Sequence, residues 1–389
     1  MTKRSVQTLD ARGKRILVRV DFNVPLNGST VVDDTRIRAA IPTINLLRDA
    51  GAKVILMSHL GRPKGTPNPN YSLAPAATRL GDLLGVRVPV TTLEEAPAKI
   101  AGMEPGDIVI LENLRFDAGE ETNDPGLAAA LAGLADAYVN DAFGAAHRAH
   151  ASVVGVAERL PAYSGLLMQR EVDVLSGLLS DVQRPFVVVI GGAKVSDKLA
   201  VINHLVERID ALIIGGGMAN TFLRAQGYQV GLSLLEPDLV PAARSVLDEA
   251  AARGVTVHLP SDVVVAPTIE AKSGTIVSVD QVPAQMAIFD IGPETIRTYA
   301  EAIGRARTVF WNGPMGVFEK APFAAGTLGV AAAVARVDGF TVVGGGDSVA
   351  AIEQAGLADQ IDHVSTGGGA SLELLEGRVL PGVAVLPEA

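Results

Sequence analysis

The chemistry available to this chain lies in short polar stretches that follow strand-like runs. In the first half these place Asp21 and Asn23 (RVDFNVP), Arg36 (TRIR), His59 and Arg62 (SHLGRPKG), Arg115 (ENLRF), and His147, Arg148 and His150 (DAFGAAHRAH). Arginine offers a planar fork of donors that matches phosphate and carboxylate oxygens. One such arginine is more often an ordinary ion-paired surface group. Four of them at equivalent strand ends point to a basic rim that holds a small, multiply charged anion. The spacing in HRAH also permits a metal pair, but no carboxylate ligand clearly accompanies it, and zinc is not favoured.

The second half answers with backbone rather than side chains. GGAKVSDK, GGGMAN, NGPMGVFE, GGGDS and STGGGAS follow its strand-like runs. Glycine lets the chain approach a phosphate closely, and the free amides and dipole of a following helix then favour an anion. A single cluster reads as a tight turn, whereas several at strand ends in one domain read as a phosphate-binding surface. Lys194 and Lys198, four apart, are expected to share one face of the helix after GGA. Asp347 would repel a phosphate unless a divalent ion intervenes, which suggests magnesium, but a helix-capping role for it is equally compatible with the spacing. GxxxxGK followed by Ser or Thr is absent, no triple glycine extends to GxGxxG, and DAFG lacks the other protein-kinase signatures.

Parallel strands with crossover helices are the elements that would position these loops. Strands are predicted at 15–20, 53–57, 107–111, 137–140, 186–190, 211–214, 256–260, 308–311 and 340–343. Between the halves, Leu166, Leu167, Val172, Leu175, Leu178 and Leu179 recur at helical spacing, with Ser164 as a candidate cap. The expected fold is α/β, with two lobes, each a doubly wound parallel sheet flanked by helices, joined by a helical hinge. The division is a first domain at 1–165, a connecting helix at 166–179, a second domain at 180–375 and a closing segment at 376–389.

Composition narrows the function classes. The 389 residues are 48% hydrophobic with a net charge of −10, which opposes broad binding to nucleic acid or an acidic membrane. There is no cysteine, so disulfides, a thiolate nucleophile and thiolate-held zinc are excluded. No apolar run approaches a membrane span and the first residues lack a signal-peptide core, so a cytoplasmic location is expected.

Taken in order, RVDFNVP, SHLGRP, ENLRF, AFGAAHRAH, GGAKVSDK, GGGMANTF, WNGPMGVFE, GGGDS and STGGGASLELLEG resemble the phosphoglycerate kinase family along nearly the whole chain. The resemblance implies a monomeric, two-lobed enzyme that reversibly transfers a phosphoryl group from 1,3-bisphosphoglycerate to ADP, giving 3-phosphoglycerate and ATP with magnesium. It implies a triose site at Asp21, Asn23, Arg36, His59, Arg62, Arg115 and Arg148. The implied nucleotide site is Gly192, Ala193, Lys198, Gly216, Gly217, Phe289, Pro314, Glu319, Gly345, Gly346, Asp347 and Ser348, with Glu319 on the ribose and Asp347 on the metal. Ser348 stands where threonine is commoner in the family, and Ile288 where some members have glycine. Arg36, Lys194 and the amides of Gly367, Gly368 and Gly369 are the implied stabilisers of the transferring group. Lobe closure is implied to unite the reactants and exclude water, and the closing segment is implied to return to the first domain. Two other readings stay open from the residues alone, a non-catalytic polyanion-binding module and a doubly wound dehydrogenase lacking its usual fingerprint.

Overall fold

The computed structural model describes residues 3–389. They form two compact units, one running to Val174 and including Arg378–Ala389, the other spanning Leu175–Gly377. The divide falls inside the helix Leu166–Ser180, which the sequence reading sets apart as a connector.

In the first unit, β1 (Arg15–Arg19), β4 (Lys53–Met57), β5 (Val90–Thr91), β6 (Ile108–Leu111), β7 (Ala137–Asn140) and β8 (Ala162–Ser164) form one sheet, and β2 (Leu26–Asn27) and β3 (Thr30–Val31) a small hairpin. The sheet order is β5-β6-β4-β1-β7-β8, with every pairing parallel. Its strands are apolar on both faces because helices cover both, and Ile16, Val18, Val54, Leu56, Ile110 and Val139 share one core. The chain builds outward from β1 through β4, then crosses to the other side with β7. Loops after β1 and β7 therefore leave in opposite directions, and such a reversal opens a crevice at the carboxyl ends of the strands.

The helix Leu166–Ser180 starts against this sheet, but Ser164 does not cap it. Asp141, at the end of β7, accepts from the amides of Leu167 (2.9 Å) and Met168 (3.3 Å), and Thr43 Oγ1 accepts from Leu166 (2.9 Å). Ser164 is turned instead to Arg4 O and Gln169. Donors 26 and 123 residues away in sequence from their acceptors leave no local signal.

The closing segment packs on the same unit. Gly382 donates to Ala146 O (2.8 Å), Asn140 Nδ2 donates to Gly382 O (3.2 Å), and Lys3 Nζ pairs with Glu388 (2.6 Å). Leu380, Val383 and Leu386 are buried there. Each buried aliphatic side chain contributes about 1.5–3 kcal/mol, so truncation after Val379 is expected to lower the melting temperature by several degrees, measured calorimetrically. Unchanged melting would show that the segment contributes nothing to stability.

The second unit has β9 (Phe186–Ile190), β10 (Ala211–Ile214), β11 (Thr256–His258), β15 (Thr308–Asn312), β16 (Phe340–Gly344) and β17 (His363–Val364) in a parallel sheet of order β11-β10-β9-β15-β16-β17. Its direction reverses between β9 and β15, where Ile190 pairs with Asn312. Val189, Ile213, Val309, Trp311 and Val343 fill one face. A second, antiparallel sheet of β12 (Asp262–Ala266), β13 (Thr275–Ser278) and β14 (Ala287–Ile291) has no counterpart among the predicted strands.

Candidate active site

The crevice of the first unit gathers Asp21, Asn23, Arg36 and Arg115 into one bonded cluster, with His59 held beside it by Arg19. Arg36, in the first turn of the helix Thr35–Asp49, donates through Nη1 to Asp21 Oδ2 (3.0 Å) and Asn23 O (3.3 Å). Asn23 Oδ1 accepts from the amide of Gly61 (2.9 Å), and Arg115 Nη1 donates to Gly61 O (2.8 Å). The loops after β1, β4 and β6 are thus tied through Gly61. Arg62 and Arg148 are exposed, and their side chains make no hydrogen bond or ion pair with the described residues, which leaves both forks available. Arg62 is close enough to act electrostatically on Arg115.

Beneath this rim lies a buried layer that sequence reasoning missed. Arg19, 1% exposed within β1, donates from Nε to Ser152 Oγ (2.8 Å) and reaches His59 Nδ1 with Nη2 (3.1 Å). Because the guanidinium can only donate, Nδ1 is the acceptor and Nε2 carries the proton of neutral His59. Burial, reinforced by Arg19, pulls the His59 pKa down to about 3, so the ring contributes shape and a donor rather than charge at neutral pH. Glu120 is fully buried and accepts from the amide (3.0 Å) and hydroxyl (2.6 Å) of Ser152. Burial raises its pKa, but His150, Arg19 and Ser152 outweigh that and hold it at about 2. His150 Nδ1 lies 3.6 Å from Glu120, so its place is in this support layer. No group of three or more metal-ligating side chains occurs among the described residues. The signal for Arg19 was present, since an arginine between Val18 and Val20 in a strand-like run is a charge that must be paired once buried.

Asp21 shows the balance of the rim. Its burial favours the neutral acid, yet Arg36, helped by Arg19, keeps its pKa below the usual carboxylate value.

At the reversal of the second sheet, a cavity of about 530 Å³ is lined by Gly192, Ala193, Gly216, Gly217, Pro314 and Asp347, with Ile288, Phe289 and Glu319 on its wall. Gly216 has φ +68°, and a Cβ there would lie 2.6 Å from Gly192 O and 2.7 Å from Pro314 O. Only glycine allows three loops to meet so closely. The antiparallel sheet supplies Ile288 and Phe289, and Phe289 packs against Phe323 with centroids 5.0 Å apart.

The lysines depart from expectation. The helix begins at Leu199, with Lys198 at its cap position, and residues 196–198 form a turn. Glu236 accepts from the amides of Val195 (2.6 Å) and Ser196 (3.2 Å) and from the Ser196 hydroxyl (2.6 Å), which fixes the backbone ahead of the helix. Lys194 is consequently exposed, while Lys198 turns inward and donates to Asn312 Oδ1. Burial lowers the Lys198 pKa, opposed by Asp197, Asp347 and Glu376.

Asp347 does not cap its helix. Gly345 occupies the cap position of Gly346–Gln354, no side-chain cap bond forms, and the exposed carboxylate has no partner among the described residues. Ser348 is buried and accepts from the amide of Gly313 (2.5 Å), joining the loops after β15 and β16. In the triple glycine, the Gly367 amide donates to Ser365 Oγ (3.2 Å), which removes it from the three amides expected to face a ligand. Gly368 (φ +53°) caps the helix Gly369–Leu375, and no acceptor among the described residues takes the amides of Gly368 or Gly369.

Comparison with known proteins decides the family. The model of the family described as "Phosphoglycerate kinase" matches residues 6–378. The chain belongs to the phosphoglycerate kinase family. A phosphoglycerate kinase of Roseiflexus sp. (strain RS-1) is 57% identical over the whole of both chains, and one of Thermomicrobium roseum is 58% identical over 99% of each. Among solved structures, phosphoglycerate kinase from Coxiella burnetii superposes with a TM-score of 0.89 at 42% identity, covering 98% of both chains. That from Pyrococcus horikoshii gives 0.87 at 34% identity, with the same coverage.

Proposed function

We propose that the chain acts as its family does, transferring a phosphoryl group reversibly from 1,3-bisphosphoglycerate to ADP to give 3-phosphoglycerate and ATP. The observation that carries this reading is the pairing of two unlike anion sites. One is a rim of arginine forks on the first sheet, and the other a glycine-walled cavity on the second. A polyanion-binding module has no need of the second site. Formation of ATP from ADP and 1,3-bisphosphoglycerate, followed by a coupled assay, tests it, and absence of ATP would reject it.

We assign 3-phosphoglycerate to Asn23, Arg36, His59, Arg62, Arg115 and Arg148, with Asp21 positioning Arg36. The nucleotide is assigned to the 530 Å³ cavity, its base against Ile288 and Phe289, its ribose by Glu319 and its phosphates over the glycine loops at Gly192, Gly216 and Gly345. Both acceptor oxygens, on a carboxylate or a nucleotide phosphate, are ionised at neutral pH, so no general base is required. Rate then depends on alignment and on stabilising charge over the equatorial oxygens. Arg36, Lys194 and the free amides of Gly368 and Gly369 are suited to that task.

The unpartnered carboxylate of Asp347, on the cavity wall beside glycine loops, fits a magnesium ion shared with nucleotide phosphates. Bound there, magnesium would neutralise phosphate charge. Asp347→Ala is expected to raise the magnesium concentration for half-maximal activity and to weaken Mg-ADP far more than metal-free ADP, measured by calorimetry. Equal weakening of both would assign Asp347 to the loop's shape instead.

A further inference from the structure

The first unit holds a second cavity, of about 590 Å³, that the proposed reaction leaves unused. It opens where the chain leaves β5 and β6, walled by Leu93, Leu114, Phe116, Leu127 and Leu131. Small-molecule sites span roughly 300–1,000 Å³, and the carboxyl ends of parallel strands are where ligands collect. The hollow is held open by bonds at its base. Glu112 accepts from Ser72 Oγ (2.7 Å) and the amide of Leu73 (2.8 Å), while Asn113 Nδ2 donates to Leu60 O (2.7 Å) and Tyr71 O (2.8 Å). These fix the 67–72 loop to the turn after β6, so that it does not fall inward.

Charge sets the class of occupant. The ionisable side chains in the lining are Glu112 and Asp117, and no lysine, arginine or histidine is among them. A phosphate or carboxylate would meet like charge with no cation to offset it, so the substrates of the arginine rim are the wrong chemistry here. An ammonium on a flat apolar body suits it, with the body among the leucines and Phe116 and the charge near Asp117. Asp117 is exposed, and Oδ1 accepts from the amide of Gly119 (2.7 Å), leaving Oδ2 open.

The same turn serves both sites. Leu114 and Phe116 line the cavity, while Arg115 between them donates to Gly61 O (2.8 Å) on the rim. Asn113 Oδ1 accepts from both the Leu60 amide (3.2 Å) and the Arg115 amide (3.1 Å), so displacement of the turn is felt in the β4 loop as well. We propose that this cavity binds a compact apolar amine and that its occupant, by leaning on Leu114–Phe116, changes the affinity of the arginine rim for its anion. The coupling rests on the reading of that rim as the 3-phosphoglycerate site, whereas the binding does not.

The probe is 2-phenylethylamine, with phenylacetate as its anionic counterpart, titrated by calorimetry into the full chain at pH 7. The amine is expected to saturate with a dissociation constant of about 1 mM, as suits so small a ligand. Phenylacetate is expected to bind about tenfold more weakly or less. Leu93→Trp, which fills the half-buried wall, is expected to remove amine binding, and Asp117→Asn to weaken the amine by about two- to fivefold while strengthening phenylacetate, which is relieved of a like charge. Saturating amine is expected to change 3-phosphoglycerate affinity by about threefold or more, with the same factor returned to the amine by 3-phosphoglycerate. Absence of saturation, equal affinity for amine and phenylacetate, or an amine isotherm unmoved by both substitutions overturns the site. Amine binding with no change in 3-phosphoglycerate affinity overturns the coupling. If the wild-type chain fails to bind 3-phosphoglycerate, the assignment of the rim falls, and the amine titration still decides the cavity.

Discussion

Arg36→Ala is expected to lower turnover by roughly 10²–10³-fold, the usual loss when a donor to developing charge is removed. One nitrogen of the guanidinium is bonded to Asp21 and Asn23, which fixes the plane of the fork and leaves donors to spare for a substrate. Alanine removes those donors and also unpairs Asp21, whose pKa rises because Arg36 is the largest influence opposing its burial. A second variant, Arg36→Lys, separates the two effects: it keeps a positive charge near Asp21 but has no fork. If the fork acts on the transferring group, lysine restores the fold's stability and little of the turnover. Near-normal turnover in either variant would remove Arg36 from the chemistry. Parallel recovery of melting temperature and rate with lysine would instead make it a partner for Asp21.

What could be read from the sequence depended on whether its cause was local. The strands of the two parallel sheets announce themselves as short β-branched runs, since each must be apolar on both faces, and KVILM, AYVN, FVVVI and ALII fall where predicted. DVVVA is as good a run, yet its sheet is antiparallel, its partner Thr275–Ser278 is mostly exposed, and its other partner Ala287–Ile291 mixes buried and half-buried positions. Their pattern is weak because one face has less to bury against. The loops that carry the polar residues were legible because composition alone marks a glycine cluster or an arginine after a strand. Their internal bonding was not. Glu236 fixes the backbone at 195–196 from about 40 residues away, which no reading of GGAKVSDK could have contained. Likewise the support of His59 by Arg19, Ser152 and Glu120 joins three segments, and only the arginine at the buried end of β1 hinted at it.

Gly368→Val is expected to lower turnover by about two orders of magnitude, the usual cost of one lost oxyanion donor. A Cβ at Gly368 would meet nothing within 4 Å, so the substitution does not act through a clash. It acts through the backbone, because φ is +53° and a β-branched residue strongly disfavours that region. The loop is then driven to another conformation, and the free amides of Gly368 and Gly369 lose their common direction. Strain of this kind costs about 1–3 kcal/mol, so a modest fall in melting temperature is expected under any role. ADP affinity separates the roles. If the amides meet the phosphoryl group only as it transfers, their contribution belongs to the transition state, and ADP binding measured by calorimetry changes by less than about tenfold. If the loop holds the bound nucleotide instead, ADP affinity falls in step with turnover. That parallel loss would remove these amides from transition-state stabilisation and make the triple glycine a part of ground-state binding.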